Sequence, residues 1–264
     1  MARRPLGDGL TFYPGGGGNA VAVGQGRENL LVDTKLWDFS RQLQREVEGT
    51  PDAPVQEVRR ILLTHAHTDH VGGVERFHHV GAVMLHGRAL RRMRERGKLS
   101  AAPYVEVTDA VTLQLGGEEV RIFHPGVAHT DGDLVAFLPG RATLVAGDVY
   151  CHGLEPSADP TFGGRLLGLR PALDRLLEVP FQEVLGGHGP AGTRADVERK
   201  RDYLAALEAA ARQARARGLA GDAAVAEVTA ALAPWPAYEP IPFRADRGSN
   251  VRQMLNELAE EATP

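Results

Sequence analysis

The order of apolar and polar positions divides the chain into short strands and a few helices. Residues 19–33, NAVAVGQGRENLLVD, carry two short apolar runs around the turn-prone Gly24-Gln25-Gly26, which predicts a hairpin preceded by the glycine run 15–18. Leu36, Phe39, Leu43 and Val47 then recur at helical spacing, and Gly49 with Pro51 ends that helix. Residues 58–63 read as a buried strand and 81–85 as another, the second followed by the helix-like ALRRMRERG. Strands return at 111–115, 119–123, 134–138 and 143–146, PALDRLLEV reads as a helix, and 183–185 as the last strand. From about residue 195 the pattern turns helical, with Val197, Tyr203, Leu204 and Leu207 at helical spacing, a second helical segment ending at 232 and a third over 250–262. Between the last two, PWPAYEPIP holds four prolines in nine residues and must be an extended loop. Hairpin strands interleaved with helices and followed by a helical tail predict a mixed α/β arrangement with sheets covered by helices. No linker-like stretch divides the chain, and no internal repeat is found.

Composition narrows the partners. With 264 residues, 43% of them hydrophobic, the chain can bury a sizeable core. A formal net charge of -4, with 24% charged residues, gives no global reason to expect nucleic acid or a membrane surface. The single cysteine, Cys151, excludes an intramolecular disulfide and any site built on several thiolates, and it points to a reducing compartment. The start, MARRPLGDGL, has two arginines but no apolar stretch behind them, so it does not read as a secretory signal, and a cytoplasmic location is expected. Nowhere is there a run of roughly 18 apolar residues, so no membrane-spanning helix is expected.

The chemistry concentrates in THAHTDHVGG, residues 64–73, which places His65, His67, Asp69 and His70 directly after an apolar run. Imidazole nitrogen and carboxylate oxygen suit zinc and its neighbours, and such sites gather groups from separated parts of a chain. Candidate partners follow at strand ends: His129 in AHTDGD, Asp148 in VAGDVY and His188 in GGHGP. Residues two apart on an extended segment point the same way, so His65 and His67 could share one metal, while Asp69 and His70, where the chain turns into a helix, could face a second. Two metals roughly 3.5–4 Å apart can share a hydroxide and clamp both the attacked oxygen and the leaving group.

His65-x-His67-x-Asp69-His70, followed in order by His129, Asp148 and His188, resembles the metallo-β-lactamase superfamily of metal-dependent hydrolases, over about residues 15–190 and including Asp33 in LLVDT, a position with a structural role there. The resemblance implies a four-layer αββα sandwich with a dinuclear site at one edge of two sheets, in a single domain over 1–264 with a core of about 10–194 and a helical extension of about 195–264. It also implies that His65, His67 and His129 hold the first metal, that Asp69, His70 and His188 hold the second, and that Asp148 bridges them. Two zinc ions are the expected cofactors, and iron or manganese suits the same donors. Zinc β-lactamases of this fold typically carry cysteine or serine where Asp148 stands, whereas glyoxalase II, lactonases and arylsulfatases carry the bridging aspartate. The resemblance thus points away from antibiotic hydrolysis as the main activity and towards a broader hydrolase with promiscuous β-lactam cleavage. The segments around Asp148 and His188 look most like a loosely characterised bacterial group of metallo-hydrolases whose substrates are mostly unassigned.

The expected chemistry is attack by a bridging hydroxide on an ester, lactone, thioester or amide carbonyl of a small molecule, with Asp69 orienting the nucleophile and passing its proton onward. Two other activities compete: an iron-dependent redox enzyme resembling persulfide dioxygenases, and a metal-dependent phosphodiesterase or nuclease. The absence of a flavin domain and the full second ligand set weigh against the first, and the acidic total weighs against the second. His86, His124 and His152 are candidates for supporting the ligands or lining the pocket, with a structural role the main alternative for His86 and His124. Cys151 is given no catalytic role, and His78 and His79 are expected to face solvent or packing. The basic run Arg88, Arg91, Arg92, Arg94, Arg96 and Lys98 reads as a solvated helix face, with recruitment of an anionic substrate or RNA as the alternative. Loops over 12–18, 153–168 and 235–243 are expected to shape the pocket, with Leu154, Phe162 and Leu166 giving it an apolar wall.

Overall fold

Alternation along the strands decides the layering. In a computed structural model that describes residues 1–7, 9–25, 28–50, 53–54, 57–241 and 245–261, β3 (Ala20–Gln25) and β4 (Glu28–Val32) form the expected hairpin. Val21, Val23, Leu30 and Val32 face one cluster of buried residues, while Ala20 and Leu31 face another. The same period of two recurs in β7 (Arg60–Leu62), β8 (Ala82–His86), β12 (Val135–Leu138), β13 (Thr143–Gly147) and β14 (Glu183–Gly186). There Leu62, Met84, Ala136, Leu138, Val145 and Leu185 turn inward, and Ile61, Val83, Val135, Phe137, Leu144 and Val184 turn outward. Both faces of each sheet are therefore apolar, and each sheet needs a cover on both sides.

The covers are the partner sheet and the helices. Seven strands run in the order β1 (Arg4–Pro5), β2 (Leu10–Tyr13), β3, β4, β7, β8, β9 (Tyr104–Val107), and six in the order β10 (Ala110–Leu115), β11 (Glu118–Phe123), β12, β13, β14, β15 (Gly192–Thr193). A small ribbon, β5 (Gly49–Thr50) with β6 (Ala53–Pro54), follows the first helix. Residues of α1 (Trp37–Glu48) and α3 (Gly87–Glu95) cover the first sheet. The second is covered by α4 (Leu166–Leu177), α5 (Arg194–Ala216), α6 (Gly221–Ala231) and α7 (Arg247–Glu261). The result is the expected four-layer αββα sandwich with a helical tail. Among the described residues no helix is long and apolar enough to cross a membrane.

Several local expectations change. Residues 10–13, read in part as a pocket loop, form a strand whose Leu10 and Phe12 are each 1% exposed between the sheets; four residues beside a glycine run are too short for alternation to stand out. The edge strand β9 was not anticipated either, because Val105 faces outward and is 44% exposed. Phe39, expected on the buried face of α1, is 37% exposed and lies over Gly16. Helix α4 starts five residues before Pro171, which lies inside it. Gly26, Pro51, Phe243 and Ala262, named in the sequence reading, lie outside the described residues.

That early start of α4 comes from a distant cap. Glu257 of α7 is buried, and its two carboxylate oxygens accept the amides of Leu166 (2.8 Å) and Leu167 (2.9 Å), donors that a helix N-terminus leaves without intrahelical partners. Asn250 and Gln253 on the same helix donate to the carbonyls of Pro156 and Ala158. Helix α7 thereby fixes the segment 155–167. Glu257→Ala is expected to lower stability by about 3 kcal/mol, the cost of two orphaned amides, read as a shift in urea midpoint; a shift below a third of that would show that water replaces the cap.

Candidate metal centre

Strand ends bring the seven candidate residues together. Strands β4 and β7 are parallel, so Asp33, just past β4, sits beside Thr64, just past β7. Strands β13 and β14 are also parallel with Gly147 opposite Gly186, so Asp148 and His188 leave the second sheet side by side. The two edges are pinned to each other: the Leu134 amide donates to the Thr64 carbonyl, and the Asn19 side chain donates to the carbonyls of Gly186 and Gly189. His67 is extended and immediately precedes the one-turn helix α2 (Thr68–Val71), which turns Asp69 and His70 towards the same space. Glycine is required at 187, where a β-carbon would run into Asp148 Oδ1, and at 18, where it would meet the His70 ring.

Two groups result, His65, His67, His129 and Asp148 in one and Asp69, His70 and His188 in the other, with the ligand atoms of each group within 4.8 Å of one another. Asp148 lies between them: Oδ2 is 3.5 Å from His129 Nε2, 3.9 Å from His65 Nε2 and 3.4 Å from His188 Nε2, and Oδ1 is 3.3 Å from His70 Nε2. Asp69 Oδ2 is 3.1 Å from His188 Nε2 and 3.7 Å from His70 Nε2.

Hydrogen bonds behind the rings fix where the lone pairs point. His129 Nδ1 donates to the Ser157 carbonyl (2.8 Å) and His67 Nε2 to Asp159 Oδ2 (3.0 Å). Thr64 gives its hydroxyl proton to Asp33 Oδ2 (2.8 Å), so its oxygen is left to accept from His65 Nδ1 (3.0 Å). His70 Nδ1 donates to Asp33 Oδ2 at 2.7 Å. A neutral imidazole carries one N–H, so these four rings turn bare lone pairs inward from His65 Nε2, His67 Nδ1, His129 Nε2 and His70 Nε2. His67 Nδ1 then stands 3.1 Å from His65 Nε2 and 3.0 Å from His129 Nε2 with no proton between them. His70 Nε2 and His188 Nε2 are buried without a hydrogen bond. Converging lone pairs beside two carboxylates fit divalent cations, with nitrogen and oxygen donors suited to zinc.

The electrostatics agree. Burial, then the charges of His70 and His67, hold the His65 pKa well below the usual imidazole value; burial also lowers that of His129. His70 and His188 go the other way: burial lowers both, but Asp148 with Asp33 at His70, and Asp148 with Asp69 at His188, together outweigh it, and His188 reaches about 9. Against the cost of its own burial, His188 and His70 hold the Asp148 carboxyl well below the usual range. The field therefore favours positive charge at the space these groups share, and a cation competing for the same lone pairs displaces the protons.

All seven candidates meet. Of the supporting candidates, His86 and His124 stack on each other with ring centroids 4.4 Å apart. They bond the Arg88 amide and the Asp133 carbonyl rather than the seven, so both act as structural histidines. His152 bonds Tyr150 Oη (2.9 Å) under the loop after His188. Cys151 is buried and its thiol, pushed well up by that burial, faces Asp148 Oδ1 at 3.7 Å. His79 pairs with Glu48, and His78 is exposed.

Three expectations need correction. Leu166 is core, not pocket wall. The segment 235–241 braces the 153–155 loop through Glu239 backbone bonds. The basic run is a solvated face at Arg91, Arg94 and Lys98, whereas Arg88 and Arg92 bind Asp131 and Arg96, though exposed, lies over Phe162. Sequence reasoning missed Asn19, Ser157, Asp159 and two buried lysines. Lys35 donates to the carbonyls of Tyr13, Gly15 and Gly18, holding the glycine run beside the centre, and burial lowers its pKa to about 7. Lys200 donates to the carbonyls of Cys151 and Leu154.

The family model described as "Metallo-beta-lactamase superfamily" matches residues 13–188. A metallo-beta-lactamase type 2 from Bacillus sp. (strain 170) is 27% identical over 181 residues, covering 67% of this chain and 68% of that protein. A hydroxyacylglutathione hydrolase from Pseudomonas putida (strain GB-1) is 35% identical over 132 residues, 48% of this chain and 46% of that protein. Among solved structures, a variant of the sec-alkyl sulfatase PisA1 superposes with a TM-score of 0.74 at 15% identity, over 96% of this chain and 49% of that one.

Proposed function

The chain belongs to the metallo-beta-lactamase superfamily of metal-dependent hydrolases, and from that membership we propose that it cleaves an ester, lactone, thioester or amide of a small molecule with two zinc ions held by the paired groups. What supports the reading is the set of lone pairs on His65, His67, His129 and His70 turned inward around Asp148. His65, His67 and His129 would hold the first ion, Asp69, His70 and His188 the second, and Asp148 would touch both. When bound, such a pair supplies an ionised water near neutral pH and an electrophile for the carbonyl oxygen. Asp33, Thr64, Ser157 and Asp159 hold the imidazoles in the tautomers that leave their inner nitrogens bare. Asp69 lines the cleft beside His67, 3.1 Å from His188, where its carboxylate would orient the water and accept the proton released as that water ionises. The relative named hydroxyacylglutathione hydrolase supports a thioester or ester, and the relative named metallo-beta-lactamase an amide, so the panel includes each.

Metal analysis of purified protein, then assays of the apoprotein restored with zinc, manganese or iron against lactones, thioesters, β-lactams, phosphodiesters and persulfide, tests the reading. About two equivalents of zinc with zinc-dependent acyl cleavage are expected. One equivalent of iron with oxygen uptake would overturn it, as would restored protein that cleaves only phosphodiesters.

A further inference from the structure

A cleft of about 390 Å³ lies against the paired groups, lined by His67 and Asp69 and by Leu36, Arg96, Asp159 and Phe162. Its charged residues are not equally committed. Asp159 gives one oxygen to His67 Nε2 and the other to the amide and hydroxyl of Thr161. Arg92, one turn before Arg96, binds both oxygens of Asp131 and the Thr161 carbonyl, which ties α3 to the segment carrying Phe162. Arg96 is exposed and forms no ion pair among the described residues. Its guanidinium sits over the Phe162 ring, 4.0 Å from the centroid, and that ring meets His67 edge-on at 4.2 Å.

A guanidinium held by its face keeps its N–H edges available, and that planar fork matches a carboxylate. Phe162 and Leu36 add apolar lining to the same cleft, against which the uncharged part of such a molecule can rest. Only two ring contacts separate the guanidinium from His67, so one small molecule can reach both. Resting on the hydrolase reading above, we propose that the cleft takes an anionic acyl compound, with Arg96 holding its carboxylate or a group of like charge while the scissile carbonyl lies beside His67 and Asp69. Arg91, Arg94 and Lys98, exposed on or just after the same helix, add positive potential that draws such a substrate in.

The test has a binding arm and a turnover arm. Calorimetry on zinc-loaded protein compares 3-phenylpropionate with its neutral amide, and assays compare 4-nitrophenyl hydrogen succinate with 4-nitrophenyl butyrate. The wild type is expected to prefer the anion in both, and Arg96→Gln to shrink each preference about tenfold, the return of one well-placed charge-assisted hydrogen bond. Arg96→Lys should restore part of the preference, since it keeps the charge and loses the fork. A wild type that holds acid and amide equally overturns the proposal. So does an Arg96→Gln variant that keeps the full preference, because the acid is then bound by the metals alone. If neither these esters nor any lactone, thioester or β-lactam of the panel is cleaved while the binding preference depends on Arg96, the hydrolase reading fails and the anion site stands.

Discussion

Asp148→Asn is expected to lower turnover by about a thousandfold or more and to reduce bound metal at both groups. Asp148 Oδ2 faces His65, His129 and His188, and Oδ1 faces His70, at 3.3–3.9 Å, so this one carboxylate is common to both groups. In the group with His65, His67 and His129 it is the only acid among the described residues. Asparagine keeps the shape but removes the charge and turns an N–H₂ towards nitrogens or cations. Charge stabilisation by a metal pair is worth several kcal/mol, and each 1.36 kcal/mol is tenfold in rate, which sets the expected scale. Metal content by plasma emission and turnover on the best substrate of the panel check it together. A variant that retains two equivalents and the wild-type rate would remove Asp148 from the centre altogether.

Local spacing made the centre legible. His65, His67, Asp69 and His70 lie within six positions after an apolar run, and Asp148 and His188 each follow a strand, so ligand chemistry and strand ends coincide there in the sequence itself, whereas His129, expected at a strand end, lies midway in the loop between β11 and β12. Of what sets the tautomers, only Asp33 is singled out in the sequence, through the resemblance; the partners of His67 and His129 were not legible, because they come from far along the chain. Asp159 is 92 residues from His67 and Ser157 is 28 from His129. The Asp-Pro-Thr of 159–161 did carry a local signal for a helical turn, in which Asp159 accepts the Thr161 amide, but nothing in that signal names His67. The lysines hid for a related reason. Lys35 and Lys200 are almost fully buried, and a lone lysine in sequence reads as surface until the carbonyls it collects are placed around it.

The basic helix shows the same limit in another form. Arg88, Arg92 and Arg96 recur every four residues, so they share one face of α3, and that much can be read from the spacing. Whether that face meets water or the segment 159–164 depends on how α7 and α4 hold the segment. Glu257, 91 residues from the amide it caps at Leu166, supplies that restraint. The tail therefore acts on the centre through the loop that carries Ser157, Asp159 and Phe162, and no local pattern in residues 155–167 announces it.

Asp33→Asn is expected to weaken metal binding by about 10- to 100-fold, with the Asp69, His70 and His188 group emptied first, and to lower kcat/KM by a similar factor. Asp33 Oδ1 accepts the Thr64 amide at 2.8 Å, while Oδ2 accepts both the Thr64 hydroxyl and His70 Nδ1. An amide cannot replace both oxygens. With its oxygen kept on the Thr64 amide, its N–H₂ faces His70 Nδ1, which must then accept, and the ring proton moves to Nε2 in the space beside Asp148. Thr64, no longer donating to a carboxylate, is released to donate to His65 Nδ1 and inverts that ring as well. In the other orientation the N–H₂ meets the Thr64 amide, donor against donor. Asp33 also holds a left-handed backbone (φ 59°), a conformation that asparagine tolerates, so the fold should survive and the loss should fall on the histidines. Competition of the folded variant against a zinc chelator reads the affinity of each group directly. Wild-type affinity in both, in a protein whose thermal unfolding is unchanged, would mean that the rings keep their tautomers without Asp33.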